Sequence, residues 1–397
     1  MRITTNILVV GAGVSGIAAA VAASRQGKQV VLIDNHSYPG GAATAVEVGT
    51  ICGLYYNGKD VESMFMVDGF VQEFALRTAD YSKTTPNSNQ YGLHYLPYNK
   101  EELKRLIEDY ITENNILFLS ECLLAEVAGD NTYLKKAVVL QKDRQLTIEF
   151  DAMIDCSGNA TVAELSDHPL VENHYFQAAS INFYIENSQI GDNELSNFKL
   201  IRDLKTIIQQ QQLPDYFKNL FIIPGSQSRE KIGFKFTIPW EVSHQKGEIE
   251  RLTIRAKELV NELFYTLKQH SSLFTNARID HIADDLGWRT GRRPLGKYIL
   301  TEEDVVTARK WEHPVAKSSW PIEDWLPNKS VDLTFVKEDD YYEIPRECLF
   351  SATYDNLFFA GRIISASDRA IASARVMGVC LQTGYAAGML AARISAK

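Results

Sequence analysis

Three glycines near the start of the chain, Gly11, Gly13 and Gly16, have the spacing of a phosphate-binding turn. A G-x-G-x-x-G turn between a strand and a helix lets the backbone approach a diphosphate, and the free amides of the helix face its negative charge. Asp34 ends the next apolar run, where a carboxylate can accept hydrogen bonds from ribose hydroxyls and repel a 2′-phosphate. The pattern predicts a dinucleotide site that disfavours NADP, the alternative being an ordinary strand-to-helix turn.

Three later segments also carry glycines at turns or at the ends of apolar runs. Gly40 and Gly41, in PGGAAT, would allow a ligand to approach the backbone closely, although a plain surface turn is the alternative. A buried-strand pattern ends at Ser157 and Gly158, and the carboxyl ends of strands are where an α/β sheet exposes its ligand crevice. NLFFAGR, near the C-terminus, is a further apolar run that ends in glycine and precedes a helix rich in small residues.

Arginines in the second half of the chain could bind a carboxylate, because a guanidinium offers it two parallel donors. The candidates are Arg289, Arg292, Arg293, Arg369 and Arg375. The alternative is that they pair with the many acidic residues of the chain. Arg375 is the strongest candidate, since it directly precedes the small-residue helix, and we expect it to orient an anionic substrate.

Proton transfer would need a base near the reacting atoms. His94, Tyr95 and Tyr342 are candidates by residue type, although a lone histidine is more often structural. Cys52 could act as a nucleophile or redox partner, but a buried free cysteine usually behaves as a small apolar residue.

Composition narrows the class of protein. The 397 residues, 45% of them hydrophobic, are enough for two domains. A formal net charge of −9 argues against nucleic-acid binding, and no second long apolar segment predicts a membrane span. The five cysteines contain no CxxC pair, which fits a reducing cytoplasm and predicts no metal site. Glycines interrupt the N-terminal apolar run, so we expect no targeting signal there.

Local patterns predict the scaffold. Asn99 should cap an amphipathic helix, and a second helix is expected from about Gly247 to Gln269. Three strand-like runs follow the first helix and are broken by turn signals at Asp130-Asn131 and Lys142-Asp143. The glutamines at 209–212 are expected on a solvated helix face.

Several blocks occur together in one order: the N-terminal glycine unit, PGGAAT, IDCSGNATVAEL, WRTGRRPLGKYILTEEDV and the C-terminal AGR…RVM…G.AAG. Together they resemble the FAD-dependent oxidoreductase family. The resemblance implies an α/β fold with a Rossmann-like, glutathione-reductase-like FAD-binding domain that is discontinuous in sequence, over 1–165 and 340–397. An inserted α+β substrate or cap domain would occupy 166–339.

The same resemblance assigns site residues. Gly11, Gly13 and Gly16 would hold the pyrophosphate, and Asp34, where relatives more often have glutamate, would bind the adenosine ribose. The other FAD contacts it implies are Gly40, Gly41, Thr44, Val127 (adenine), Ser157, Gly158, Gly361, Arg362 (pyrophosphate and ribitol), Gly378 and Val379. Gly378 stands where many relatives have proline, at the start of a helix aimed at the flavin.

The expected function is hydride transfer between a small organic substrate and FAD, with His94, Tyr342 and Arg375 as catalytic candidates. Because the chain has no second nucleotide fingerprint, dioxygen or a carrier would exchange electrons with the flavin. A flavin monooxygenase of the aromatic-hydroxylase type is the alternative enzyme. A non-redox FAD-binding or RNA-modifying protein is the alternative from another class, which the negative charge disfavours.

Overall fold

The computed structural model describes residues 1–394 except 60, 175, 191–193, 229–230, 243–246, 328 and 330. The strands in these residues are β1 (Arg2–Val10), β2 (Val30–Ile33), β3 (Thr50–Cys52), β4 (Asn87–Ser88), β5 (His94–Pro97), β6 (Leu117–Leu119), β7 (Cys122–Asp130), β8 (Tyr133–Gln141), β9 (Arg144–Asp155), β10 (Ala178–Glu186), β11 (Leu220–Ile222), β12 (Lys231–Glu241), β13 (Arg278–Ile282), β14 (Pro314–Ser318), β15 (Ile322–Asp324), β16 (Asp332–Thr334), β17 (Tyr342–Pro345) and β18 (Leu357–Phe359).

The α-helices are α1 (Val14–Arg25), α2 (Phe70–Ser82), α3 (Lys100–Glu113), α4 (Thr161–Leu165), α5 (Glu194–Gln209), α6 (Glu248–His270), α7 (Glu302–Val306), α8 (Asp368–Ala374) and α9 (Met377–Ile394). None of the described helices combines the length and the apolar character needed to cross a bilayer.

The main sheet has the order β6-β2-β1-β9-β8-β7, and β18 also pairs with β9. Strands β6, β2, β1, β9 and β18 are parallel, whereas β7, β8 and β9 form an antiparallel meander. The parallel strands therefore present their carboxyl ends at one edge, which is where α/β sheets bind ligands. This mixed architecture with a parallel sheet confirms the α/β part of the expected fold.

The second half of strand β1, residues 7–10, is apolar without alternation because both of its faces are covered. Ile7 and Val9 face a core that includes residues of α1 and α9, while Leu8 and Val10 face a second cluster with side chains from the meander. All four side chains are 5% exposed or less.

Helices α1 and α9 pack closely because glycines occupy their contact surface. A Cβ on Gly384 would overlap the carbonyl oxygen of Ser15, and one on Gly388 would overlap that of Ala19. Both obstacles are backbone atoms, which cannot rotate away. The small residues in the last helix thus bring α9 against α1 and the parallel sheet.

A second sheet, with the antiparallel order β11-β12-β10-β13, builds a separate core with α5 and α6. Phe183 and Phe234 stack across β10 and β12 with centroids 5.4 Å apart, and Phe217 stacks on Phe236 at 5.0 Å. This core draws its buried members from residues 179–286. Buried residues between Leu300 and Val336, which the sequence patterns assigned to the inserted domain, pack instead with the first core.

Two histidines join the units formed by the two sheets. His36 lies between Asp34, 3.1 Å from Nδ1, and Asp285, 2.9 Å from Nε2. His281 approaches both carboxylate oxygens of the buried Glu47 at 3.0 Å. The hydrogen bonds to Asp285 and Asp34 raise the pKa of His36 to about 10, so its ring is charged at neutral pH.

The predicted helix cap, helix start and turns are confirmed, and the prediction for the four glutamines is wrong. Asn99 caps α3 by accepting from the amides of Glu101 and Glu102, and α6 begins directly after Gly247. The expected turns at 130–131 and 142–143 join β7 to β8 and β8 to β9. The four glutamines do not form a helix face, because α5 ends at Gln209 and the remaining three lie in the turn that follows.

The contact between α1 and α9 predicts a large loss of stability for Gly384→Val. The new side chain would push against the Ser15 carbonyl, and overpacking of this kind costs on the order of 3 kcal/mol. Ala386→Val, at a half-buried position on the same helix, is the control and should change the free energy of unfolding by less than about 0.5 kcal/mol. Urea denaturation measures both, and equal losses would contradict the packing argument.

Candidate functional site

The glycine turn lies where β1, α1 and β9 meet at the carboxyl edge of the sheet. Gly11 has φ +98°, and a Cβ there would lie 2.5 Å from the carbonyl oxygen of Cys156 at the end of β9. A Cβ on Gly16 would overlap the carbonyl oxygen of Gly11. These two glycines are therefore required for the protein's own packing.

Gly13 is different, because the space beside it is open. A Cβ at this position would meet only the Cα of Gly41, at 4.0 Å. Gly13 is the N-cap of α1, and no side chain caps this helix. The first hydrogen bond of the helix runs from the amide of Ile17 to the carbonyl of Gly13, so the preceding amides are available to an anion.

The second glycine pair packs on the first. Gly40 forms a parallel bridge with Gly13 and donates its amide to the carbonyl of Ala12 at 2.8 Å. A Cβ on Gly41 would lie 2.9 Å from the Cα of Gly13. Thr44 is wholly buried, with its hydroxyl 2.9 Å from the carbonyl of Pro39. The structure thus brings PGGAAT and the N-terminal glycines together, and Thr44 stabilises the loop that carries the pair.

The carboxylate of Asp34 accepts hydrogen bonds from backbone amides of the glycine turn and of the residues after β2. Its Oδ2 accepts the amide of Ala12 at 2.6 Å, and its Oδ1 accepts the amide of His36 at 2.9 Å. The His36 ring also contacts Oδ1, at 3.1 Å. A carboxylate has about four acceptor positions, so these three contacts leave one for a ribose hydroxyl. The sequence analysis missed the bond to Ala12, although an acid at the end of the second strand is the signal for it.

Asp155 is a site residue that the sequence analysis missed. It is fully buried at the end of β9, and its carboxylate accepts the amides of Ser157 and Val162, both at 2.9 Å. Burial raises the pKa of Asp155. These bonds shape the turn that holds Ser157 and Gly158 beside the glycine turn.

Arg362 lies in this same region. Its Nε donates to the carbonyl of Gly158 at 3.0 Å, and Nη1 donates to the carbonyl of Trp288. A Cβ on the preceding Gly361 would lie 2.5 Å from the hydroxyl oxygen of Ser15 in the first turn of α1. Burial lowers the pKa of Arg362 to about 10, and no ion pair joins this guanidinium to a carboxylate of the described residues. A half-buried cation beside an open helix N-terminus fits a diphosphate.

The last helix begins one residue before the expected position, at Met377. A Cβ on Gly378 would overlap the backbone of Gly53, which directly follows β3. Val379 is buried, and its methyl group lies 3.5 Å from the position of a Cβ on Gly53. The helix start and the end of β3 are therefore in backbone contact.

Val127 is placed less favourably for contact with adenine. Strand β7 begins beside Asp34, since the amide of Cys122 donates to the carbonyl of Asp34 at 2.8 Å. Val127 lies five residues further along β7, opposite Ala137, at a distance of roughly 16 Å for an extended strand. Cys122, Leu123 and Leu124 are the residues of β7 nearest to Asp34.

His94 and Tyr342 are both held by internal hydrogen bonds. His94 is 3% exposed, with Nδ1 2.7 Å from the hydroxyl of Ser63 and Nε2 3.0 Å from the carbonyl of Gly58. Tyr342 is fully buried, and its hydroxyl lies 2.8 Å from that of Ser373. Burial raises the pKa of Tyr342 to about 12.

The structure separates the five candidate arginines. Arg292 pairs with Glu164 at 2.5 Å, the fully buried Arg293 pairs with Asp368 at 2.5 Å, and Arg369 pairs with Glu302 at 2.8 Å. These three follow the alternative interpretation of the sequence, in which arginines pair with acids. Arg289 and Arg375 lie together elsewhere, in a cluster near the start of α9.

Comparison with known proteins identifies the family of this chain. The model of the family described as FAD dependent oxidoreductase matches residues 6–397. No curated protein sequence matches the chain.

Solved structures match over nearly the whole chain at low identity. CabE, an aromatic hydroxylase from angucycline biosynthesis, is 10% identical with a TM-score of 0.52, and the alignment covers 99% of this chain and 63% of CabE. OxyS anhydrotetracycline hydroxylase from Streptomyces rimosus is 10% identical with a TM-score of 0.50, covering 98% of this chain and 62% of OxyS. A geranylgeranyl bacteriochlorophyll reductase-like protein from Thermoplasma acidophilum is 11% identical with a TM-score of 0.47, covering 100% and 78%. This chain therefore spans less than two thirds of either hydroxylase, and the likeness is one of fold.

The open space at Gly13 and the closed space at Gly16 predict opposite outcomes for the same substitution. Gly13→Val should leave the melting temperature of the FAD-free protein nearly unchanged, because its Cβ meets no close protein atom. It should weaken FAD binding by ~100-fold, or about 2.7 kcal/mol. Gly16→Val should instead destabilise the fold by on the order of 3 kcal/mol. Thermal unfolding and flavin absorbance after reconstitution distinguish them. Normal FAD content in Gly13→Val would contradict the proposed cradle.

Proposed function

This chain belongs to the FAD-dependent oxidoreductase family, and on that premise we propose that it transfers a hydride between a small organic substrate and FAD. The observation that carries the proposal is the open N-terminus of α1 at Gly13, which the Gly40-Gly41 loop and Arg362 flank. When bound, FAD would supply a two-electron hydride acceptor or donor. The chain's own residues have to bind it, orient the substrate and handle the proton.

We assign the diphosphate to the cradle formed by Gly13, Gly41 and the first amides of α1, with Arg362 as the neutralising cation. Asp34 would accept from the ribose, and Cys122 to Leu124 would contact the adenine in place of Val127. The start of α9 would direct its free amides at the flavin ring, where they stabilise negative charge. This arrangement supports a glutathione-reductase-like FAD-binding unit over 1–165 and the C-terminal residues, extended by the segment from about residue 300.

We propose that Arg375 orients the substrate. It lies two residues before α9, and its guanidinium is held by Gln177, at 3.1 Å from Oε1, and by Glu323, at 3.6 Å from Oε2. Gln177 directly precedes β10, the central strand of the second sheet, so that unit supports the substrate side of the site. A guanidinium fixed in this way can orient a carboxylate through two parallel hydrogen bonds.

His94 and Tyr342 are candidates for proton transfer by residue type, but their hydrogen bonds favour a structural role. Both ring nitrogens of His94 have partners within the protein, so it has no nitrogen left for a substrate. The hydroxyl of Tyr342 is enclosed by Ser373 and has no exposed surface. We therefore propose that both residues stabilise the loops around the site.

A flavin monooxygenase is the second candidate. The observation that favours it is the fold that this chain shares with two hydroxylases, CabE and OxyS. Turnover under labelled dioxygen separates the two functions, because only a monooxygenase incorporates the label into its product. Unlabelled product, together with reduction of the flavin by substrate in the absence of oxygen, supports hydride transfer.

Anaerobic titration of the purified protein with a panel of metabolites tests the main proposal. A substrate should bleach the flavin absorbance without oxygen, and dioxygen or a carrier should then restore it. Protein that is colourless and does not take up added FAD would overturn the proposal.

The geometry of His94 predicts that His94→Gln and Ser63→Ala behave alike. Each removes one side of the same 2.7 Å hydrogen bond and should lower the free energy of unfolding by about 1–2 kcal/mol. The pH dependence of anaerobic flavin reduction should be the same in both variants and in the unmodified protein. A pH limb that disappears only in His94→Gln would show that His94 transfers the proton.

A further inference from the structure

Three cations from separate elements converge beside the start of α9. Lys235 comes from β12, Arg289 from the loop after β13, and Arg375 from the junction of α8 and α9. Lys235 Nζ lies 4.6 Å and Arg289 Cζ lies 4.5 Å from the centroid of the Trp325 ring. Both cations therefore contact the same indole ring.

Arg375 completes this cluster. Its repulsion contributes to the lowered pKa values of both Lys235 and Arg289, so all three charges are within electrostatic reach of one another. Glu323 is the one carboxylate that raises the pKa of both residues, and it lies 3.6 Å from Arg375 and 3.3 Å from the indole nitrogen of Trp325. Among the described residues, Glu323 is thus the carboxylate that these three cations share.

The excess positive charge is largely enclosed. Arg289 is 8% exposed, and among the described residues no ion pair joins Arg289 or Lys235 to a carboxylate. Burial is the largest cause of the lowered pKa of each, to about 9 for Arg289 and about 8 for Lys235. Enclosing like charges is unfavourable unless an anion joins them. The chain has acids in excess and pairs Arg292, Arg293 and Arg369 with them, but among the described residues Glu323 is the one carboxylate that acts on both Lys235 and Arg289.

A buried amide gives an independent indication. Gln177 has no exposed surface, and its Oε1 accepts from Arg375. Its Nε2 is buried and has no hydrogen-bond partner in the part of the chain that the structure describes. Buried donors in proteins almost always have a hydrogen-bond acceptor. We therefore expect an acceptor from outside the chain to bind this amide and the cations.

The cluster also adjoins the proposed flavin site. Cys52 interacts electrostatically with Lys235 and Arg375, and the next residue, Gly53, contacts Val376 just before α9. Lys235, Trp325 and Cys52 each retain some exposed surface, so the cluster is accessible from one side. An anion bound here would lie between the second sheet and the start of α9.

We propose that Lys235, Arg289, Arg375 and Gln177 form a subsite for the carboxylates of a small organic dicarboxylic acid. Such an acid would be the substrate of the reaction proposed above, so this assignment rests on that function. The three cations and the carboxylate of Glu323 together carry a net charge of +2. The two carboxylates of a dicarboxylic acid would balance this charge. Guanidinium groups pair with planar carboxylates through two parallel hydrogen bonds, and the lysine supplies a compact charge beside them.

Isothermal titration calorimetry of the holoprotein tests this subsite with succinate as the probe. Succinate should bind at least tenfold more tightly than acetate or the uncharged succinamide. Lys235→Met and Arg289→Met should each weaken succinate binding at least tenfold. The matched controls are Lys205→Met on α5 and Arg144→Met on β9, which are exposed and should bind succinate as the unmodified protein does.

The pH dependence gives a second measurement. Lys235 faces Arg289, Arg375, Glu323 and Cys52, and deprotonation removes one positive charge from this group. Succinate affinity should therefore fall as the pH rises through about 8 in the unmodified protein, and this step should be absent in Lys235→Met. Lys235 donates no hydrogen bond to a described residue, so its replacement should leave the fold intact even if Arg289→Met does not fold.

Three results would overturn the subsite: no succinate binding to yellow protein, equal affinity in Lys235→Met, or tighter binding of inorganic phosphate than of succinate. Flavin content is read separately from absorbance. Colourless protein that still binds succinate through Lys235 would refute the proposed function and leave the subsite standing.

Discussion

The structure depends on close approach between backbones at the N-terminus of α1. The helix begins against the end of β9, lies along α9, and receives the Gly40-Gly41 loop on its first turn. At Gly11, Gly16, Gly384 and Gly388, a Cβ would collide with backbone atoms, which cannot move aside as a side chain can. Every other feature of the site, from the position of Asp34 to that of Arg362, follows from this junction. Gly13 is the exception that leaves room for a ligand.

Charge is distributed unevenly around that junction. The chain carries a formal net charge of −9, yet Arg362, Arg289, Lys235 and Arg375 lie along the boundary between the two units. Among the described residues, Glu323 compensates Lys235, Arg289 and Arg375, and Asp285 acts on Arg362. A cofactor diphosphate and an anionic substrate would both be attracted to this boundary. Burial lowers the pKa of Arg362, Arg289 and Lys235, and repulsion by Arg375 lowers it further.

Histidines connect the two units on the other side of the boundary. His36 forms ion pairs with Asp34 in the first unit and Asp285 after the second sheet, and its pKa is raised from 6.5 to about 10. A histidine with a raised pKa stabilises the folded state fully below its unfolded value, and this contribution is lost as the pH rises through about 10. The ion pairs of His36 with Asp34 and Asp285 are therefore retained at neutral pH. It ties the proposed ribose carboxylate to the unit that contributes Lys235.

The sequence by itself determined the strand-turn-helix unit, the turns of the meander, the cap of α3 and the family, because each depends on short-range spacing or on blocks in a constant order. It also indicated that Arg375 is set apart, through its position before the last helix. Only the tertiary structure decided that Arg292, Arg293 and Arg369 pair with acids, that both nitrogens of His94 are occupied, and that residues from about 300 pack with the first core. Lys235 and Gln177 carry no motif, and they join Arg375 only because β12 and the start of β10 are brought to α9 from distant parts of the chain. Electrostatic and hydrogen-bond partners depend on distances in space, which local sequence patterns do not encode.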